Sequence, residues 1–300
     1  MAGLRIDRLA TLYLIRPILR ILPSRSALRI PILMYHSISE SNSGNSNPYY
    51  QTVTSPEVFA EHMKFLRENN YRVIGLGDAV KEIGGTAGGS AKCVVITFDD
   101  GFRDFYTRAF PVLNGYGFGA TVYLPTAFMN ESAPRFNGSE CLTWSQVREL
   151  RSAGVLFGSH TVSHRQLTAV KPHELEMEVL ESKRIIEDKL GCPVESFSYP
   201  YAFPETDRTF KQRLRAILAE AGYSNGVSTI IGRAGRNDDA FFMKRLPVNS
   251  CDDLSLFQAK LDGAYDWLHV PQYLSKAIGG FRHKANVPAA ECKVTGKLTD

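Results

Sequence analysis

Short apolar runs alternate with longer segments of helical periodicity along most of this chain. The runs predict strands over residues 31–36, 72–74, 94–98, 120–124, 155–157, 196–201, 226–229 and 242–248. Between them, apolar positions recur at helical spacing. Ser55-Pro56-Glu57 reads as a helix start with Ser55 as N-cap, and Val58, Phe59, Met63, Phe65 and Leu66 supply an apolar face ended by Asn69-Asn70. Further helices are predicted over 78–83, 105–113, 143–152, 172–190, 206–220 and 254–267, with Thr143 and Gln146 forming a capping box. Residues 84–89 read as a glycine-rich linker, and the chain after Val270 has little pattern. Strand alternating with helix implies an α/β protein with a parallel sheet closed into a barrel.

Four of the runs end in polar groups. His36 follows Ile32-Leu33-Met34-Tyr35, Asp99-Asp100-Gly101 follows Val94-Val95-Ile96-Thr97-Phe98, His160 lies just past Val155-Leu156-Phe157, and Tyr201 follows Phe197-Ser198-Tyr199-Pro200. The C-terminal ends of barrel strands are where active sites form. Gly101 lets the backbone turn sharply at its strand end. Two adjacent carboxylates repel unless a cation sits beside them, and a metal ion is the economical one. His160 and His164 are spaced i, i+4, which on a helix puts both imidazoles on one face. Asp100, His160 and His164 give two nitrogens and one oxygen and leave a position for water, which fits catalytic zinc better than structural zinc. Each residue also has a plainer reading: Asp99 and Asp100 as a capped turn, the histidine pair as helix surface, His36 as a satisfied buried histidine, Tyr201 as an aromatic core residue, and Arg245 as a structural cation. His62, His173, His269 and His283 read as ordinary surface or tail residues.

The 300 residues suffice for one large domain or two small ones. The net charge of +4 comes without a dense Lys/Arg block, so no nucleic-acid partner is implied. Five cysteines are scattered singly, which argues against a cysteine zinc site and for reduced thiols in a cytoplasmic protein. Near the N-terminus, Arg5, Arg8, Arg16, Arg20, Arg25 and Arg29 face only Asp7, while Leu12, Ile15, Leu19 and Leu22 recur at helical spacing. Arg16, Pro17 and Arg20 interrupt this stretch, so it is neither a signal-peptide core nor a membrane span. Two readings stay open: a basic amphipathic helix lying peripherally on the inner membrane, or a packing helix with a solvated basic face. The chain thus divides into an N-terminal segment 1–30, a barrel domain 31–270 and a tail 271–300.

Thr97-Phe98-Asp99-Asp100-Gly101 and Ser159-His160-Thr161-Val162-Ser163-His164 together resemble the first two motifs of the polysaccharide deacetylase (NodB-homology) family, over roughly residues 31–267. The resemblance implies a distorted (β/α) barrel, one divalent metal, usually zinc, and removal of N-acetyl groups from an N-acetylated carbohydrate. It implies that Asp100, His160 and His164 ligate the metal, that Asp99 is the general base, and that the Tyr201 backbone N–H holds the oxyanion. Two departures stand out. The family's third motif reads Arg-x-Pro-Tyr, whereas this chain has Ser198-Tyr199-Pro200-Tyr201; Arg245 is the candidate replacement for the missing arginine. No C-terminal catalytic histidine is evident, but Leu33-Met34-Tyr35-His36 resembles the N-terminal motif of the branch acting on exopolysaccharides such as poly-β-1,6-N-acetylglucosamine. There the barrel is circularly permuted and His36 takes the acid's place. As that acid, His36 should have its pKa raised by a neighbouring carboxylate. The competing readings are a catalytically impaired carbohydrate-binding or scaffold protein, favoured by the missing arginine, and a deacetylase of a small or lipid-linked amino sugar.

Overall fold

The computed structural model describes residues 5–21, 28–40, 51–85, 92–132 and 135–279. Seven parallel strands form a closed ring: β1 (Ile32–Tyr35), β2 (Cys93–Phe98), β3 (Thr121–Leu124), β4 (Leu156–Ser159), β5 (Ser196–Ser198), β6 (Asn225–Ile231) and β7 (Met243–Pro247). Neighbours follow chain order from β2 to β7, and β1 closes the ring between β7 and β2. Leu246 pairs with Leu33 on one side, and residues 32–35 pair with residues 95–98 on the other. The short strand Arg72–Val73 is added beside the start of β2. All six residues of β2 are buried, which is why it reads as an unbroken apolar run rather than an alternating one. The barrel is distorted: β4 and β5 share a single register pair, and a register shift separates Val227 from Ile231 between β6 and β7. Gly158 is needed in β4 because a Cβ there would stand 2.5 Å from the Tyr123 ring, whose hydroxyl is bonded to Ser196 Oγ at 2.8 Å.

Helices cover the ring much as the periodicity predicts. The Ser55 hydroxyl accepts from Val58 N at 3.3 Å and starts Pro56–Glu68, whose Phe59, Met63 and Leu66 are buried. Tyr35, Phe59, Phe98 and Phe105 meet in an aromatic cluster with ring centroids 4.8–5.8 Å apart; each such side chain contributes about 1.5–3 kcal/mol by leaving water. The capping box of Thr143 and Gln146 begins Trp144–Ser152, and Pro172–Leu190 is a single long helix. His62, expected at the surface, is fully buried. Its ring stacks on Phe257, Nδ1 accepts from the Tyr35 hydroxyl at 3.1 Å, and Nε2 donates to the Asp252 carbonyl at 2.8 Å. It is a satisfied core residue, because both ring nitrogens find partners without charge.

Three further differences have local causes. The segment 105–113 begins as a π-helical turn, Phe105–Ala109, before Phe110–Tyr116. The segment 254–267 breaks after Leu254–Leu261 and resumes as a 3₁₀ turn, Asp266–Leu268, with Gly263 at φ +89° between them. A helix then follows over His269–Gly279, where the weak apolar pattern predicts none. The linker reading over 84–89 falls mostly on residues 86–89, and His283 lies in 280–300; both stretches lie outside the described residues.

Within the N-terminal segment the described residues 6–21 form one helix in three parts, Ile6–Ala10, a π-helical turn Thr11–Ile15, and Arg16–Ile21. It docks on the barrel through polar groups. Arg5 reaches Asp252 at 3.3 Å and Arg16 reaches Asp262 at 3.4 Å. Arg8 pairs with Asp253, Tyr265 donates to Asp7, and Trp267 Nε1 donates to the buried Thr11 hydroxyl at 3.0 Å.

Candidate active site

At the C-terminal end of β2, Asp100 takes φ +71° and Gly101 φ +59°, so the chain turns out of the strand within two residues. A Cβ on Gly101 would lie 2.9 Å from Leu124 Cδ2, so a larger residue there would have to displace that side chain while also holding a left-handed φ. At the end of β4, His160 N donates to Leu124 O at 3.0 Å and holds the backbone of this residue against β3. The segment 160–164 is not helical, contrary to the i, i+4 expectation. It is a loop in which Thr161 and His164 both have positive φ, and it is pinned by Thr126 N and Ala127 N donating to the Thr161 and Val162 carbonyls. The tight turn, rather than helical pitch, returns the second histidine to the first.

One ligand atom each from Asp100, His160 and His164 lies within 4.8 Å of the others. Asp100 Oδ1 is 3.5 Å from His160 Nε2 and 3.2 Å from His164 Nε2, yet it is buried without a hydrogen bond. His160 Nδ1 donates to the Ser198 carbonyl at 2.8 Å, so its Nε2 lone pair faces that carboxylate oxygen. Lone pairs converging on a buried, unpaired oxygen are the arrangement a cation resolves, and a carbonyl behind the histidine is the usual orienting partner of a ligand. The donor set therefore fits a divalent ion. Despite burial, His160 and His164 hold the Asp100 carboxyl far below the usual range, and despite burial, Asp99 and Asp100 raise the His160 imidazole.

Asp99 lies beside this cluster, almost wholly buried, and is clamped by Arg245 from β7. Nη1 donates to Oδ1 at 2.8 Å and Nη2 to Oδ2 at 2.7 Å. The remaining Arg245 donors reach Ser228 O at 2.9 Å, Thr97 Oγ1 at 3.3 Å and Ser198 Oγ at 3.1 Å. Burial works against ionisation of Asp99, but Arg245 and His160 outweigh it and bring its pKa down to about 2. Ser198, which occupies the third motif's arginine position, leaves space that a guanidinium from a different strand enters. The impaired-site reading thereby loses its support.

His36, at the end of β1, has a side chain 16% exposed, with Nε2 3.9 Å from Asp99 Oδ2. The carboxylates were expected to raise its pKa. Burial instead lowers it, and Asp100 and Asp99 only partly oppose this; a desolvated imidazolium costs more than the two anions return. Tyr201 is not a core residue: it is 52% exposed, at φ +59°, with its ring 4.7 Å from that of His164. Its backbone N–H donates to no other described residue. Phe136 packs on the other side of His164 at 4.9 Å. Of the six non-glycine residues with positive φ among those described, four (Asp100, Thr161, His164 and Tyr201) line this site. Each left-handed residue costs on the order of 1 kcal/mol, and such strain gathers at functional sites.

One contributor escapes the sequence reading. Glu178, buried on the helix Pro172–Leu190, accepts from Val162 N at 2.9 Å and Ser163 N at 2.8 Å, and from the Ser163 hydroxyl. It ties down the loop between the two histidines. Its signal was an acid inside the buried stripe of Leu175, Val179 and Ser182, where an unpaired carboxylate would be costly.

A seven-stranded parallel barrel with an Asp-His-His cluster at strand ends is the architecture of the polysaccharide deacetylases, and the comparisons agree. The polysaccharide deacetylase profile matches residues 86–226. The chain is 32% identical over 234 residues, 78% of its length, to the Bacillus subtilis protein YxkH, assigned by name to the polysaccharide deacetylases, covering 76% of that protein. The chain belongs to this family and is a hydrolase of amide C–N bonds. It also resembles the poly-β-1,6-N-acetyl-D-glucosamine N-deacetylase of Escherichia coli K12, at 36% identity over 112 residues, 34% of this chain and 16% of that one. The fold is shared with the Streptococcus pyogenes deacetylase PplD solved with acetate, with a TM-score of 0.68 at 24% identity over 78% of this chain and 99% of that one. It is shared too with IcaB from Ammonifex degensii, with a TM-score of 0.63 at 21% identity over 79% and 97% of the two chains.

Proposed function

We propose that this protein removes N-acetyl groups from an amino-sugar polysaccharide or oligosaccharide in a metal-dependent reaction. The observation that carries the reading is a clamped carboxylate, Asp99, adjoining three ligand atoms gathered within 4.8 Å. Asp100, His160 and His164 would hold the ion, zinc by its preference for nitrogen and oxygen donors with an open position. When bound, it supplies Lewis-acid polarisation of the acetyl carbonyl and a lowered pKa for the attacking water. Asp99 takes the water's proton, and Arg245 keeps its carboxylate ionised and aimed rather than strongly basic. The free Tyr201 N–H donates to the oxyanion of the tetrahedral intermediate, while the half-exposed Tyr201 ring offers a face on which a sugar can stack. His36 protonates the departing amine. Burial keeps its imidazole neutral at rest, so its proton arrives during the cycle, and Asp99, 3.9 Å away, is the adjacent source. Acetate and a free amino sugar result.

The name of the Escherichia coli relative supports a β-1,6-linked N-acetylglucosamine oligomer as the first substrate to try. Acetate release is measured on that oligomer, on chitin oligomers and on free N-acetylglucosamine, after chelation and after adding back zinc. Zinc-restored release from an oligomer is the expected result. Release unaffected by chelation rejects the metal, and release from free sugar alone rejects the polymer.

A further inference from the structure

The helix 6–21 is packed inside out. Asp7, Arg8, Thr11 and Arg16 face the barrel and are paired there. Thr11 and Arg16 are five residues apart, and the π-helical turn between them returns both to one side, which a regular α-helix would not. The opposite side is apolar: Ile6, Tyr13, Leu14, Ile18 and Ile21 stand between 53% and 85% exposed. Ordinarily such a helix buries its apolar stripe against the core. Directly after Trp267, whose indole holds Thr11, the helix His269–Gly279 exposes Val270, Tyr273 and Leu274 at i, i+3, i+4 spacing. Monomeric soluble proteins keep exposed apolar patches small, and larger ones mark an interaction surface.

Charge indicates what covers this face. Six arginines oppose the single Asp7 in residues 1–29. Arg5, Arg8 and Arg16 pair with the barrel, while Arg20 and Arg29 are exposed and make no ion pair among the described residues. Apolar side chains with tyrosines among them and the unpaired Arg20 on the same helix are the complement of an anionic lipid surface, where chains enter the headgroup boundary and cations meet phosphates. No helix among the described residues is long and apolar enough to cross a membrane, so the helix would lie on it. We infer that the outer face of helix 6–21, with Val270, Tyr273 and Leu274, seats the protein on an anionic phospholipid bilayer.

The test is flotation of the full chain with vesicles of phosphatidylglycerol and phosphatidylethanolamine, against vesicles of phosphatidylcholine alone. Wild type floats with the anionic vesicles. The bound fraction drops about tenfold or more on neutral vesicles, and likewise in a Leu14→Glu, Ile18→Glu double variant. Both positions are exposed and outside the catalytic machinery, so the variant keeps its melting temperature. Wild type that stays with unbound protein, or a double variant that floats as well, overturns the proposal. So does a dimer in light scattering that the double variant splits without any vesicle binding, which assigns the face to a second copy. Vesicle binding seen only after residues 280–300 are removed also overturns it, since that segment would then be the occupant.

Discussion

The arginine that clamps Asp99 reaches it from β7, while Ser198 stands where the Arg-x-Pro-Tyr motif has its arginine; this is an exchange in space between two neighbouring positions, Ser198 Oγ lying 3.1 Å from Arg245 Nη2. Arg245→Ala should leave a buried carboxylate without its cation, costing about 3–5 kcal/mol of stability and most of the deacetylation rate. Placing the guanidinium back by Ser198→Arg in that background should recover a measurable part of both. Acetate-release kinetics and thermal melts check this, and a double variant no better than Arg245→Ala would show that the two positions are not equivalent. His36 carries a second prediction. His36→Ala should retain metal by elemental analysis, lose about 10²–10⁴-fold on amides as a general acid does, and lose far less on acetyl esters, whose leaving group needs less protonation to depart. Equal losses on both would make His36 an anchor for Asp99 instead of an acid.

Among the elements, the loop 160–164 does what a helix was expected to do, and Glu178 on a distant helix holds it. Glu178→Gln should weaken metal affinity by about 10–100-fold, as loss of an orienting partner does, while leaving the far-ultraviolet spectrum unchanged. A calorimetric titration with zinc reads this directly, and unchanged affinity would mean the loop holds itself. Much of this architecture was readable beforehand. Apolar runs ending in Asp99-Asp100, His160, His36 and Tyr201 announced a rim, because buried parallel strands are uninterrupted and their polar ends abrupt. The capping signals of Ser55 and Thr143 are local, and they held. Arg245 was legible from sequence as the replacement cation, although its bidentate grip on Asp99 spans 146 positions. What escaped depends on contacts distant in sequence or on backbone geometry: the Glu178 interaction hides in a buried stripe, and positive φ at Thr161 and His164 leaves no mark in residue type. The pKa of His36 was misjudged in sign because neighbouring anions are visible in a motif and desolvation is not.

At the level of the whole molecule, burial of neutral histidine makes the fold acid-sensitive. His62 is pushed down to about 4 by burial, against an ordinary value of 6.5. Between those values the unfolded chain binds a proton that the native chain refuses, so stability is full above pH 6.5 and falls as pH drops toward 4, by roughly 3 kcal/mol. Urea unfolding at pH 7.5, 6 and 5 should show that slope, and His62→Gln should flatten it. An unchanged slope would assign acid sensitivity to other groups.

The position of β1 has a consequence for how the protein is made. It leaves the ribosome before the other strands of the ring, yet it pairs with β7, whose Leu246 opposes Leu33 at a separation of 246 − 33 = 213 residues. Until β7 is synthesised, one side of β1 is an unpaired edge of buried-type residues, a template for pairing with another chain. Closing so distant a contact late also slows folding. Because His36 hangs from that strand, the ring cannot shut without bringing the proposed proton donor to the Asp100, His160 and His164 group, so catalytic competence should appear in the same kinetic step as barrel closure. In refolding from urea, acetate release should rise together with burial of the core aromatics and trail the early gain of helix. Chains ending before residue 240 should aggregate rather than turn over slowly.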